Sequence, residues 1–164
     1  MSEQNEYCVR RAESKDTEKI LDLLRQVNLL HHEGRPDLFR GPATKYNAKE
    51  LAEIFADERR PVFVCVDHLD QVLAYAFCVM KETRGEAVMV DHSSLYIDDI
   101  CVDQAVRGQN LGRTIYEAVL AFAREQGCYH VTLNVWECNP SARRFYESLG
   151  MQVQKTTMEQ VLRP

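Results

Sequence analysis

One segment of the sequence combines the residue types that an anion-binding turn needs. Residues 95–115 have the pattern of an apolar strand, a polar turn with Gly108 and Gly112, and an amphipathic helix. The first N–H groups of a helix lack partners within it and lie at the positive end of its dipole, which suits a pyrophosphate. A simple strand-to-helix connection explains the same residues, since two glycines and Arg107 are weak evidence. The residues themselves leave both interpretations open.

Two adjacent carboxylates lie in the strand that precedes this turn. Asp98 and Asp99 interrupt the apolar residues between Leu95 and Val102. Successive strand residues point to opposite faces, so we expect at least one carboxyl group to be partly buried or to face a cavity. Burying a carboxylate is costly unless it is partnered or used. The two residues are therefore candidates for acid-base chemistry or for a buried hydrogen bond.

The composition argues against several classes of protein. The chain has 164 residues, of which 45% are hydrophobic and 27% charged, as is typical of one globular domain. A net charge of −5 without a Lys/Arg cluster argues against a nucleic-acid partner. No apolar run approaches the ~20 residues that cross a bilayer, and the polar, acidic N-terminus is unlike a signal peptide. We therefore expect a single domain over residues 1–164, a cytoplasmic location and no membrane partner.

The six cysteines do not have the spacing of a metal or redox site. They form no Cys-x-x-Cys pair, and no histidine accompanies them in a repeated pattern. Several lie in apolar runs, where a thiol behaves as a small hydrophobic side chain. We expect reduced, mostly buried thiols and no bound metal. The cysteines are Cys8, Cys65, Cys78, Cys101, Cys128 and Cys138.

Hydrophobic periodicity predicts the elements that position these residues. Apolar residues at helical spacing predict four helices, which start near residues 16, 47, 111 and 139. The last of these begins at Asn139-Pro140, a favoured cap followed by the proline that a first helical position tolerates. The resulting order, β-α-α-β-β-β-α-β-α-β-β, indicates an α/β (α+β) chain with a mixed sheet of about seven strands. Strands are predicted at residues 7–9, 61–66, 72–80, 94–102, 130–135, 151–155 and 158–162.

Three motifs, in order, resemble those of the GNAT superfamily of N-acetyltransferases. Residues 107–112, Arg-Gly-Gln-Asn-Leu-Gly, are similar to its Arg/Gln-x-x-Gly-x-Gly/Ala signature, which holds the pyrophosphate of acetyl-CoA. Residues 97–102 and 139–150 resemble the neighbouring motifs in order and spacing. The competing nucleotide signatures Gly-x-Gly-x-x-Gly and Gly-Lys-Ser/Thr are absent. One residue departs from the pattern: Asn110 replaces the usual glycine, and we expect the turn to form because Asn tolerates positive φ.

The resemblance implies a fold, a co-substrate and the residues that hold it. A GNAT-like domain has a central, mixed, mostly antiparallel twisted sheet that splays between strands 4 and 5, flanked by about four helices. Acetyl-CoA is the implied co-substrate, with its pantetheine chain lying in the splay, a backbone N–H facing the thioester oxygen, and no metal. Asn139 is implied to hydrogen-bond the cofactor while it caps its helix. The implied cofactor-binding residues are Ile100, Cys101, Val102, Arg107, Gly108, Gln109, Asn110, Leu111, Gly112, Arg113 and Asn139.

The resemblance also implies a general acid. Tyr146 occupies the superfamily's Asn-x-x-Ala-x-x-Phe-Tyr position. A phenol with a pKa of about 10 stays protonated at neutral pH and can donate to the departing thiolate. Periodicity alone favours a core aromatic at this position, so the catalytic role of Tyr146 depends on the resemblance.

A general base is needed because an alkyl amine is almost wholly protonated at neutral pH. The resemblance implies Asp98 as a base that acts through water, and it makes Asp99 a structural, hydrogen-bonded carboxylate. Many members of the superfamily have no side-chain base at this position, so a histidine or water remains an alternative. The alternative histidines are His31, His32 and His92, whereas His68 is expected in an exposed turn.

The acceptor is implied to bind among the first two helices, their connecting loop and the loops that border the central strands. The loop of residues 31–42 contains two prolines and two glycines, and a loop of this length is usually functional. Carboxylates there would suit a cationic amine, but a solvated acidic surface explains them as well. The residues in these segments are Glu33, Arg35, Asp37, Phe39, Asp91 and Asp98.

The expected function is transfer of an acetyl group from acetyl-CoA directly to a primary amine of a small molecule or of a peptide or protein. One alternative is a non-catalytic acyl-CoA-binding sensor or interaction module of the same fold. Another is a thiol-dependent acyltransferase that uses Cys138, which no His/Asp pairing in the sequence accompanies. Residues 156–162 alternate polar and apolar, which predicts an edge strand that pairs across a homodimer.

Overall fold

The computed structural model of the protein describes residues 6–163. The chain divides into two compact units, one up to Asn134 and one from Val135 onward. Within the described range, no helix is both long and apolar enough to cross a membrane.

The first unit contains a mixed five-stranded sheet and three α-helices. Its strands follow one another in the order β1-β2-β3-β4-β5, with antiparallel pairs except for the parallel pair β4–β5. The strands are β1 (Cys8–Arg11), β2 (Val62–Val66), β3 (Val72–Thr83), β4 (His92–Val102) and β5 (His130–Leu133). The helices are α1 (Thr17–Gly34), α2 (Ala48–Phe55) and α3 (Leu111–Glu125), and short 3-10 turns cover Ser14–Asp16 and Gln104–Val106.

Helices cover both faces of the sheet, as the continuous apolar residues of β2 predict. All five residues of β2 are buried. Val64 belongs to the core that includes Leu23 of α1 and Leu51 of α2. Its neighbour Phe63 meets Phe122 of α3 on the opposite face, with ring centroids 5.3 Å apart. A strand sequence without polar alternation therefore lies between two apolar layers.

The fourth strand is longer than its partner β5, and this leaves part of one edge open. The parallel ladder begins at Ser94 and His130 and ends at Ile97 and Leu133, whereas β4 continues to Val102. Beyond Ile97, β4 has a ladder partner only in β3 among the described residues. The splay expected between strands 4 and 5 stays a prediction, whereas the ladder between them ends with β5 at Leu133.

A β-bulge interrupts β4 at the same place. Phe77 pairs with Asp99 and the next residue, Cys78, pairs with Ile97, so Asp98 is the extra residue. Such bulges bend a strand and redirect side chains, and they are common beside active sites. The strict alternation expected for Asp98 and Asp99 therefore does not apply here.

The second unit contains one helix, α4 (Pro140–Ser148). The side chain of Asn139 accepts a hydrogen bond from the Ala142 N–H (3.2 Å), and Pro140 takes the first helical position, as predicted. The strands predicted at 151–155 and 158–162 are wrong, because residues 151–163 contain no strand. Alternating side chains cannot form a strand without a neighbouring backbone to pair with. The described chain accordingly has five strands rather than about seven, while the mixed sheet and the four α-helices are confirmed.

The thiols follow the sequence expectation in part. Three cysteines are buried, and burial raises the pKa of Cys65 to about 11 and those of Cys78 and Cys101 to about 12. Cys8 and Cys138 are exposed. The described residues contain no group of three or more His, Cys, Asp and Glu side chains that could hold a metal ion.

Candidate active site

The turn between β4 and α3 is held against α1 by a buried carboxylate. Asp103 accepts hydrogen bonds from Lys19 Nζ (2.5 Å), from Gln26 Nε2 (3.3 Å) and from the Ala105 N–H (3.1 Å). The Gln104 N–H donates to the side-chain oxygen of Gln26 at 3.1 Å. These bonds satisfy the carboxylate and fix the point at which the chain leaves the sheet.

The turn then presents the start of α3 as an anion site. Gly108 and Asn110 both have positive φ, at 86° and 59°, so Asn110 adopts the left-handed conformation that the glycine signature requires. The side chain of Asn110 makes no capping hydrogen bond, and the first turn of α3 contains no acidic residue. The first N–H groups of α3 lack partners within the helix, and the positive end of its dipole is not neutralised in the described chain. A helix N-terminus of this kind is suited to an anion such as a phosphate.

The charged residues around this turn are open to solvent and to a cleft. Arg107 lines a cleft of about 340 Å³, whose other walls include Gln26 and Leu29 of α1. Arg113, in the first turn of α3, lies 3.7 Å from Glu117, a contact too long to fix its guanidinium. The Tyr7 hydroxyl donates to the side-chain oxygen of Gln109. Both arginines therefore remain available to a phosphate.

The open edge of β4 supplies backbone groups next to this turn. Ile100, Cys101 and Val102 pair with β3 on one side, opposite Ala76, Tyr75 and Ala74 respectively. On the β5 side, these residues have no ladder partner within residues 6–163. An extended ligand that carries amide groups could pair with this edge as a further strand would.

The bulged residue Asp98 faces residues that precede α2. Its Oδ2 accepts from Lys45 Nζ at 2.5 Å and from the Tyr46 hydroxyl at 3.4 Å. The Asp98 side chain is 21% exposed, and that of Lys45 is 51% exposed. Asn47 and Glu50 fix this segment through a reciprocal capping box of 2.8 and 2.9 Å at the start of α2. The ion pair is thus anchored on both sides.

Asp99 has a different environment from its neighbour. Its Oδ2 accepts from the Tyr75 hydroxyl at 2.6 Å. Burial raises the pKa of Asp99 to about 6, against the lowering effects of the Tyr75 hydrogen bond and the Lys45 charge. The Asp98 charge raises it further, so the two carboxylates share one electrostatic environment. Burial also raises the pKa of the Tyr75 phenol well above its ordinary value.

Several other predicted residues stabilise the loops around this cluster. His32 Nδ1 lies 2.7 Å from the Phe39 carbonyl, and the His31 ring packs on Phe39 with centroids 4.8 Å apart. Burial, followed by the Lys45 charge, lowers the pKa of His31 and keeps its imidazole neutral over a wider range. The Asp91 carboxylate accepts from the Gly85 N–H at 2.9 Å.

The other predicted acceptor residues and histidines have contacts of their own. Arg35 pairs with Asp37 at 2.7 Å within the α1–α2 loop, and Glu33 lines the cleft beside Arg107. His92 Nδ1 lies 2.8 Å from the Val90 carbonyl, and His68 is exposed as expected. Asp98 and Asp99 instead receive hydrogen bonds from residues that sequence reasoning missed, namely Lys45, Tyr46 and Tyr75. The capping-box signal at Asn47 and Glu50 locates α2, but no local pattern indicates a contact between residues 45 and 98.

The proposed general acid lies on α4 in the second unit. The Tyr146 carbonyl accepts from the N–H groups of Leu149 and Met151, both at 3.1 Å, which closes the C-terminal end of the helix. The Tyr146 ring lies edge-on to Phe145 with centroids 5.2 Å apart. Its catalytic role stays a prediction, as do the roles of Asp98 and of the cofactor-binding residues.

Comparisons with known proteins decide the family. The Acetyltransferase (GNAT) family matches residues 27–151. The chain belongs to the GNAT acetyltransferase family. This family uses acetyl-CoA as its co-substrate. The motifs at 97–102, 107–112 and 139–150 all lie inside the matched region.

Named relatives of this GNAT protein support its enzyme class. A probable glucosamine 6-phosphate N-acetyltransferase 2 of rice (Oryza sativa subsp. japonica) is 31% identical over 153 residues, covering 87% of this chain and 80% of the relative. A bovine (Bos taurus) thialysine N-epsilon-acetyltransferase is 36% identical over 154 residues, covering 88% and 83%. The predicted N-acetyltransferase is confirmed at this level, and nothing in the matches supports the non-catalytic alternative. Two further plant relatives described as glucosamine 6-phosphate N-acetyltransferases are matched over only 58% of their own length.

A solved structure supports the fold. A crystal structure of a mutant of the BH1408 protein from Bacillus halodurans has a TM-score of 0.90 and 33% identity, and the match covers 94% of this chain and 99% of that chain. The GNAT fold inferred from the sequence is therefore confirmed for this α/β chain.

Proposed function

We propose that this chain binds acetyl-CoA along the open edge of β4 and transfers the acetyl group directly to a primary amine of a small molecule or peptide. The observation that carries the proposal is the continuity of the open edge at Ile100–Val102 with the left-handed turn at Asn110. A pantetheine chain followed by a pyrophosphate matches this order of backbone groups. Arg107 and Arg113 would add charge to the pyrophosphate site.

The reaction needs a polarised carbonyl and an amine with a free lone pair. A backbone N–H on the open edge would face the thioester oxygen, and such a donor contributes about 3 kcal/mol when charge develops there. Asp98 would take the proton of the acceptor ammonium, directly or through water, because its carboxylate is partly exposed at the bulge. Asp99 would keep the Tyr75 hydrogen bond and modulate the charge on Asp98.

Collapse of the tetrahedral intermediate needs a proton for the leaving thiolate. Tyr146 is the proposed donor because of its position in the motif that ends at Gly150. The amine nitrogen would form a bond to the acetyl carbon and lose its second proton to solvent, the carbon–sulfur bond would break, and the sulfur would leave with the electron pair and the phenol proton. Solvent would reprotonate the phenolate.

A homodimer and a cytoplasmic location belong to the same proposal. Val153, Val161 and Leu162 are between 62% and 87% exposed. Contact of these apolar side chains with a second copy would remove them from water. Sedimentation equilibrium tests the dimer: a monomer at all concentrations would contradict it.

Thiol release from acetyl-CoA with a panel of amines tests the activity. The panel includes glucosamine 6-phosphate and thialysine, the two amines that appear in the names of the relatives. We expect amine-dependent turnover that falls by about 100-fold or more in Tyr146→Phe. Tyr129→Phe, at an exposed tyrosine, serves as the matched control. Coenzyme A binding without turnover on any amine would favour a sensor, and ping-pong kinetics would favour a covalent Cys138 intermediate.

A further inference from the structure

One lysine of the chain lies where the proposed mechanism places the acceptor amine. Lys45 Nζ is 2.5 Å from Asp98 Oδ2, the carboxylate that would deprotonate the acceptor. Among the described residues, no other lysine forms an ion pair with Asp98. Lys45 is a primary alkyl amine, which is the chemical class of acceptor that the family acetylates.

The contacts around Lys45 place its amine beside the bulged residue Asp98. The capping box of Asn47 and Glu50 fixes the start of α2 two residues downstream. The Tyr46 ring packs on Phe77 of β3 with centroids 5.6 Å apart, and Lys45 Nζ lies 5.4 Å from the Tyr46 ring centroid. The Lys45 side chain is half-exposed, so solvent reaches it beside this anchored segment.

We propose that Lys45 is a self-acetylation site: with acetyl-CoA bound and no acceptor present, the chain acetylates its own Lys45. This inference rests on the proposed function, because it uses the same base and the same bound thioester. Acetylation would remove the positive charge that neutralises Asp98 and would place an amide beside it. The modified chain would then have an altered acceptor site.

The step balances without a further reagent. Asp98 takes a proton from the Lys45 ammonium, and the freed nitrogen lone pair attacks the acetyl carbonyl carbon. A carbon–nitrogen bond forms, the carbon–sulfur bond breaks, and coenzyme A leaves as the thiolate that accepts the Tyr146 proton. The second proton on the Lys45 nitrogen passes through solvent to the Tyr146 phenolate, and Asp98 releases its proton to solvent. The products are acetylated Lys45 and coenzyme A.

Uncatalysed acetylation should favour Lys49 over Lys45, the opposite of what self-acetylation predicts. Burial acts to lower the pKa of Lys45, but the hydrogen bond and charge of Asp98 outweigh it and raise the pKa above its ordinary value. A more strongly protonated amine reacts more slowly with an acetyl donor in solution. Lys49, exposed on α2, should therefore be the faster site when acetylation is purely chemical.

The test uses the full-length protein, acetyl-CoA and no acceptor, with peptide mass spectrometry as the readout. We expect acetylation at Lys45 at least about tenfold faster than at Lys49, at a first-order rate that does not depend on protein concentration. Asp98→Asn and Tyr146→Phe should each reduce the Lys45 rate to the Lys49 level or below it, without changing the Lys49 rate. With acetyl phosphate as donor, the preference for Lys45 should disappear.

Three results would overturn the inference. They are equal rates at Lys45 and Lys49 in the wild type, a faster Lys45 reaction in Asp98→Asn, or no modification of Lys45 while the same preparation acetylates an external amine. The last result would leave the proposed function intact. A protein that bound no coenzyme A and acetylated neither Lys45 nor any amine of the panel would contradict both.

Discussion

The two sides of β4 differ in the groups that line them: backbone groups on one side and side chains on the other. On the β5 side, the proposed donor site consists of backbone groups from one continuous stretch, residues 100–113. On the acceptor side, the cluster consists of side chains from three places: Lys45 and Tyr46 before α2, Tyr75 on β3, and the two aspartates. A backbone site tolerates a change of residue, as Asn110 in place of glycine illustrates, whereas a side-chain cluster depends on each charge. This contrast predicts where substitutions have large effects.

The largest effect is expected on the acceptor side, at Asp98. In Asp98→Asn, kcat/KM for the acceptor amine should fall about 100-fold because no carboxylate remains to take the ammonium proton. The KM for acetyl-CoA should stay within about twofold of the wild-type value. Glu53→Gln, exposed on α2, is the control for loss of a carboxylate and should leave kcat/KM unchanged. An unaltered pH profile of kcat/KM in Asp98→Asn would show that another group is the base.

The next effect concerns stability at Asp99. Its folded pKa of about 6 lies above that of an unfolded aspartate, so the folded state holds the proton more tightly and stability falls as pH rises from about 4 to about 6. Asp99→Asn carries no charge to bury, so it should gain about 2 kcal/mol relative to wild type between pH 4 and pH 7. Urea unfolding at the two pH values measures this difference. Glu53→Gln, exposed on α2, should show none, and an equal difference for Asp99→Asn at both pH values would contradict the assignment.

On the donor side, loss of one charged contact to the cofactor should have a smaller effect than loss of the Asp98 carboxylate. Arg107→Ala should raise the KM for acetyl-CoA about tenfold, because one charge-assisted hydrogen bond to phosphate contributes about 1 to 3 kcal/mol. The kcat at saturating acetyl-CoA should change little. Arg124→Ala, in the last turn of α3, provides the comparison. Equal effects of the two substitutions would mean that Arg107 does not contact the cofactor.

The smallest effect is expected at the left-handed residue of the turn. Asn110→Ala should lower the free energy of unfolding by about 1 kcal/mol, because alanine adopts φ near 59° less readily. Asn110→Gly should be at least as stable as wild type and should bind coenzyme A as tightly or slightly more tightly. Thermal unfolding and calorimetry on the pair measure both quantities. A more stable alanine variant would show that this turn does not require the left-handed conformation.

The same contrast separates what the sequence could predict from what it could not. The turn at 107–112 and the cap at Asn139 were predictable because each depends on residues adjacent in the chain. The cluster at Asp98 was not, since the Lys45 contact spans 53 residues and the bulge has no local signal. The predicted strands at 151–155 and 158–162 failed for the same reason: alternation is local, but a ladder needs a partner.

Hydrogen exchange with and without coenzyme A tests the central claim most directly, because the claim concerns backbone amides. Binding should slow exchange across residues 100–113, most strongly at Leu111, Gly112 and Arg113, and should leave α2 unchanged. Calorimetry on the same sample establishes that coenzyme A is bound. Bound coenzyme A without slowed exchange in residues 100–113, or no binding at about millimolar ligand, would contradict the account.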